Sequence, residues 1–177
     1  MSHLLEAEYS TLTTSRSRCS SEKPFDEVMA SLYASIGSPD KASEWLNMAK
    51  DILSGQPHPQ ERFKSAVEAA IGPHGFMIFQ EFDHGIWISL FGVGSGLKAK
   101  RVILGNPLIA LTMLEHDLAA GLFVPVEILV LEKEGGTEII WNVPSAQISA
   151  VNKHAKLLTA AVELDRKLVA LVKDILS

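Results

Sequence analysis

Glu81-Phe82-Asp83-His84 sets two carboxylates and an imidazole side by side between the apolar runs Phe76 to Phe82 and Ile86 to Phe91. Burial between such runs tunes the pKa of an acid or an imidazole, which is what general acid/base chemistry needs. In that reading one of Asp83 and His84 carries a proton and the other orients it. The same residues also read as a polar turn joining two strands. Glu127 is a second carboxylate of interest, because it interrupts the apolar run Val124 to Leu131. Alternation puts it on the face of Leu129 and Leu131, as a solvent-facing residue or as a buried one that needs a partner. Lys98 follows the glycine-rich Gly92 to Gly96 with Lys100 and Arg101 behind it, either a solvated basic loop or a nest for a carboxylate or phosphate. Asn106 and Asn142 stand in turns, where an amide also presents itself to a ligand carbonyl. Trp87, Met113 and Trp141 suit a core or the wall of an apolar ligand pocket.

Known cofactor patterns fail on spacing. Gly92-Val93-Gly94-Ser95-Gly96-Leu97-Lys98 lacks the third glycine of a dinucleotide fingerprint, and a P-loop would need glycine at Leu97. No His-Glu-x-x-His, cysteine pair or Gly-x-Ser-x-Gly elbow occurs in the sequence. The six histidines are scattered, so a metal site would require His74, His84, His116 and His154 to converge in space. Neither metal nor cofactor is expected.

A chain of 177 residues is long enough to bury its own core as one domain spanning 1–177, without disulfides. The lone Cys19 fits a reducing compartment and excludes a disulfide framework or a cysteine-based zinc site. A net charge of -5 argues against nucleic acid and anionic membrane, which both recruit basic surfaces. Residues 1–20 hold no signal-like apolar run, and no stretch approaches the ~20 apolar residues of a membrane span. A cytoplasmic protein is expected.

The elements that must position these side chains follow from periodicity. Tyr9 to Ser17 is rich in β-formers and reads as a strand. Phe25, Val28, Met29, Leu32, Tyr33 and Ile36 form one helical stripe that Gly37-Ser38-Pro39 ends. A second helix after Pro39 carries Trp45, Leu46, Met48, Ile52 and Leu53, and a third runs from Glu61 to Ile71. Strands are expected at Phe76 to Phe82, Ile86 to Phe91 and Arg101 to Leu104, and an apolar helix at Leu108 to Leu118, opened by Pro107. Val124 to Leu131 and Thr137 to Val143 flank Gly135-Gly136 and read as a hairpin. Ser145 to Ser177 reads as one long amphipathic helix covering the sheet.

The run Arg101-Val102-Ile103-Leu104-Gly105-Asn106-Pro107, then Ala110, Leu114, Gly121-Leu122, Pro125 and the Val126 to Val130 strand resembles domain of unknown function 302. Trp141-Asn142-Val143-Pro144 falls where that family has an aromatic-Asn-Asp-Pro turn, and Gly75-Phe76 fits as well. The resemblance covers residues 75–177 as a family-like core. It implies a compact α+β domain, often a homodimer, with no general biochemical role. Two departures stand out: residues 37–70 insert helices into the helical part at 20–71, placed to act as a lid, and Val143 replaces the usual Asp.

The fold expected is α+β, an antiparallel or mixed sheet covered by helices. Two functions fit. The first is a cofactor-independent isomerase, cyclase or lyase acting on a small, largely apolar organic molecule in an enclosed pocket. Asp83, His84 and Glu127 would be its catalytic residues, and Trp87, Lys98, Asn106, Met113, Trp141 and Asn142 would bind substrate. The second is a non-catalytic small-ligand-binding or dimeric interaction module. Geometry discriminates them, since an enzyme should aim Asp83 or His84 into an enclosed pocket.

Overall fold

A computed structural model describes residues 9–55 and 57–177. The chain runs β1 (Arg16–Ser21), α1 (Phe25–Ile36), α2 (Pro39–Leu53), α3 (Pro59–Ala70), β2 (Met77–Asp83), α4 (His84–Ile88), β3 (Ala99–Gly105), α5 (Pro107–Leu114), β4 (Val126–Lys133), β5 (Gly136–Asn142), α6 (Pro144–Val151) and α7 (Ala155–Leu176). Short 3-10 turns occupy Ser89–Phe91, Gly94–Gly96 and Leu118–Leu122. The side chains of 43–46 and Leu53, expected on the faces of α2, lie outside the described residues, as does the segment 1–8.

The five strands form one antiparallel sheet in the order β1-β5-β4-β3-β2. Its strands alternate, as a sheet covered on one face must. Val102, Leu104, Val126, Ile128, Val130, Ile139 and Trp141 point to the covered face and are at most 5% exposed. The cover is α7, whose Leu157, Ala161, Leu164, Leu168, Leu171, Val172 and Ile175 are buried, together with the stripe of α1. The other face carries Phe82, Arg101, Leu129, Ile140 and Arg18 in one row across the strands.

Gly105-Asn106-Pro107 is the corner that turns β3 into α5. A Cβ on Gly105 would lie 2.8 Å from the Phe79 ring and 3.1 Å from Pro125, so the corner closes only with glycine. Asn106 accepts hydrogen bonds from the backbone N–H groups of Leu108 (2.8 Å) and Ile109 (3.4 Å). It also donates to the Gly75 carbonyl at 3.0 Å, tying the entry of β2 to the start of α5. Pro107 occupies the first turn of the helix, where its missing N–H costs nothing.

Four expectations need correction. Ile86 to Phe91 is not a strand: Asp83 caps a helical turn by accepting from the Ile86 N–H at 3.2 Å, and a 3-10 turn follows at Ser89–Phe91. The Ser145 to Ser177 helix is two helices. Pro144 opens α6, Asn152 leaves it in an extended conformation and donates to Asp117 at 2.6 Å, and α7 starts afresh at Ala155. Asp165 of α7 accepts from both the backbone N–H and the hydroxyl of Ser145, locking the two helices together. The first strand starts at Arg16 rather than Tyr9, because β5 offers a partner only from that point. The helix expected to reach Leu118 stops at Leu114, where Asp117 caps a 3-10 turn by accepting from Ala119 at 2.9 Å.

Gly105→Ala is expected to destabilise the fold by about 1–3 kcal/mol through overpacking against Phe79 and Pro125. Urea unfolding of both proteins measures it, and an unchanged midpoint would mean that Phe79 swings aside freely.

Candidate functional site

Asp83 and His84 are neighbours in sequence and part company in space. Asp83 pairs in register with Lys100, and Glu81 with the fully buried Val102, so Glu81, Asp83 and Lys100 lie on the helix-covered face near the β2 edge. There they meet Tyr33 of α1. The Tyr33 hydroxyl donates to Glu81, and the Lys100 ammonium donates to Glu81 at 2.7 Å and to the Tyr33 oxygen at 3.3 Å. The second oxygen of Asp83 lies 3.6 Å from the Lys100 nitrogen.

Tyr33, Asp83 and Lys100 of this cluster floor a groove of about 540 Å³ between α1 and the segment after β2, walled by Met29, Ala30, Gly85, Ile86 and Leu97. Lys98 stands at its rim in a 2.6 Å ion pair with Asp26. Burial, reinforced by the hydrogen bond to Glu81, pushes the Tyr33 hydroxyl from 10.0 up to about 12. Burial alone pulls Lys100 down, but its hydrogen bonds to Glu81 and Tyr33 reverse this and hold it above the ordinary lysine value. Tyr33 therefore stays neutral and Lys100 stays cationic across the physiological range.

His84 lies on the opposite side of the sheet. It lines a shallow hollow of about 290 Å³ with Arg16, Arg101, Glu127, Leu129, Ile140 and Asn142. Glu127 is half-exposed there, accepting from the guanidinium of Arg101. Three expected site residues, His84, Glu127 and Asn142, thus meet on the open face, while Asp83 and Lys98 meet in the groove. Trp87 is 51% exposed beside His84, edge-on at 6.2 Å between ring centroids. Trp141 and Met113 belong to the core. Met113 and the capping Asn106 border an apolar pocket of only about 100 Å³. Ligand sites run to roughly 300–1,000 Å³, so this one is too small for an organic molecule.

A third cleft was foreshadowed only by the extra helices. α2 and α3 stand against β2 and wall an opening of about 440 Å³ lined by Ile36, Gly37, Lys41, Met48, Ala66, Ala69, Ala70, Met77 and Ile78. Among the described residues that line it, Lys41 alone is charged.

Sequence reasoning placed Tyr33 in an apolar stripe and missed its pairing with Glu81 and Lys100. A signal was present: Glu81 and Asp83 alternate on one strand and Lys100 opens the next, so the pairing of β2 with β3 sets Asp83 opposite Lys100 with Glu81 on the same face. The glycine-rich loop gathers no anion nest from its basic neighbours, because Lys98, Lys100 and Arg101 pair with Asp26, Glu81 and Glu127. Among the described residues no three metal-capable side chains cluster.

A single antiparallel sheet covered on one face, with clefts along its β2 edge, defines a small α+β domain. Residues 56–175 match the family described as Domain of unknown function DUF302, and the chain belongs to that family. The match takes in α3, so of the two inserted helices α2 alone lies outside it. The fold is similar to the crystal structure of an uncharacterized conserved DUF302 protein from Bacillus stearothermophilus, at a TM-score of 0.60 and 18% identity, over 90% of this chain and 96% of that one. No curated protein matches the chain.

The raised pKa values of Tyr33 and Lys100 favour the proton-bound folded state. Their contribution is complete below the unfolded values of 10.0 and 10.5 and is lost as pH rises through the folded ones. Stability should therefore hold through neutral pH and fall in the alkaline range. In Tyr9→Phe protein the ultraviolet absorbance of the Tyr33 phenolate is expected to appear near pH 12, and a midpoint at 10.0 would show that Tyr33 is neither buried nor bonded to Glu81 as described.

Proposed function

We propose that the protein is a non-catalytic module that binds a small, largely apolar organic molecule in the cleft beneath α2 and α3. The observation that carries this reading is the lining of that cleft: methionine, isoleucine and alanine side chains around about 440 Å³, with charge only at Lys41 among the described residues. This volume lies within the roughly 300–1,000 Å³ of small-molecule sites, and such a lining recruits the hydrophobic effect with little polar desolvation cost. The inserted helices give the cleft its outer wall, which accounts for their presence beside a minimal sheet.

Catalysis by Asp83, His84 and Glu127 has less support. None of the three lines the apolar cleft, and they are divided between the two sides of the sheet. A proton-transfer pair must sit within hydrogen-bond reach of one substrate atom; Asp83 is separated from His84, and Glu127, which shares the open hollow with His84, is held by the Arg101 guanidinium.

The partner we assign to the open face is a second copy of the chain. That face sets Ile103, Leu129, Leu131, Ile140 and Phe82 among Arg16, Arg18, Arg101, Glu127 and Glu138. Apolar centres with both signs of charge interspersed are self-complementary about a two-fold axis. Trp87, beside His84 at the rim of that face, is 51% exposed, an apolar surface that association would cover.

Two experiments test these readings. An environment-sensitive apolar dye should bind the wild-type protein saturably, and Ala69→Trp, which fills the cleft from an exposed helical position, should weaken it by about tenfold or more; equal binding would sink the proposal. Sedimentation equilibrium should show a dimer that Leu129→Lys shifts towards monomer, whereas a wild-type monomer at high concentration would remove the assigned partner.

A further inference from the structure

The groove floored by Tyr33, Lys100 and Asp83, with Glu81 behind them, is separate in chemistry from the apolar cleft. The ionised side chains that line it balance: Asp26 and Asp83 face Lys98 and Lys100. A carboxylate ligand would have to approach two carboxylates, and an amine would have to approach two ammonium groups. Both are disfavoured when like charges meet at a partly desolvated surface. A neutral guest meets neither repulsion.

The hydrogen-bond inventory narrows that guest further. Lys100 has three protons, and Glu81 and Tyr33 take two of them. The third faces Asp83, whose nearer oxygen is 3.6 Å away, beyond hydrogen-bonding distance. The other oxygen of Asp83 is already engaged by the Ile86 N–H at 3.2 Å. The floor of the groove therefore presents a donor and an acceptor side by side, joined by no direct hydrogen bond. A hydroxyl answers both at once, since it accepts from the ammonium and donates to the carboxylate. Met29, Ile86 and Leu97 on the walls suit the C–H faces of such a molecule.

The geometry points to a binding site for a neutral, hydroxyl-rich molecule, a polyol or monosaccharide, held between Lys100 and Asp83 in the groove beside α1.

Titration of isotope-labelled protein with glucose and with sorbitol, followed by backbone amide shifts, tests this assignment, with hexanoate and hexylamine as charged controls. Saturable shifts are expected at Tyr33, Gly85 and Ala99 with the polyols. Lys100→Met and Asp83→Asn should each weaken binding by about tenfold or more, the range for losing a hydrogen bond to a charged group. If Lys100→Met fails to fold, Asp83→Asn decides, because asparagine retains the oxygen that accepts from Ile86. The assignment is overturned if neither polyol saturates, if the charged controls bind as tightly, or if folded Asp83→Asn keeps wild-type affinity. Each outcome is independent of dye binding in the apolar cleft.

Discussion

The apolar stripe of α7 pressed against one face of the sheet is the contact on which the rest of the molecule depends. Leu157, Leu168, Leu171 and Val172 are fully buried there and meet Val102, Leu104, Ile128, Val130 and Ile139 across the layer. A two-layer domain has a single core, so each large apolar side chain in it is worth about 1.5–3 kcal/mol of burial. Because α7 and α1 cover only one face, the opposite face is left to solvent or to a partner. Because α1 ends above the β2 edge, the space beside it is open for clefts.

The residues that carry the family resemblance turn out to be architectural. Gly105 is glycine because Phe79 and Pro125 occupy the space of a side chain, and Asn106 is committed to capping α5 and holding Gly75. Pro107 completes the same corner. Such residues specify where β3 ends and α5 begins, and so set the position of β2 relative to the core. They leave chemistry to the edges, where α1, α2 and α3 differ in what they present to β2. The result is one apolar cleft and one polar groove along the same border of the sheet.

Within the groove, desolvation and pairing act against each other, and pairing prevails. Burial penalises a charged lysine, yet two hydrogen bonds from its ammonium keep Lys100 protonated. The same network keeps Tyr33 neutral, with the Glu81 carboxylate accepting its proton. Groups held so firmly in one protonation state are poor proton shuttles and good fixed hydrogen-bonding points.

Much of the architecture is written in local pattern. The Gly135-Gly136 hairpin, the α1 stripe, the Pro107 helix start and the one-sided alternation of β4 and β5 follow from side-chain period and turn chemistry alone, and the structure carries each of them. Ile86 to Phe91 reads as a strand because its composition suits one, but Asp83 at the end of β2 caps a helical turn there, so the local cap overrides composition. The break at Asn152 is likewise decided by Asp117, 35 residues away in the chain. The site divides in the same manner. Sequence singled out Asp83, His84, Lys98 and Glu127 as residues able to do chemistry, since residue type determines that. Strand register sets Asp83 opposite Lys100 beside Tyr33, whereas His84 is the first residue of α4, and the turn that opens there carries it to the hollow of Arg101 and Glu127.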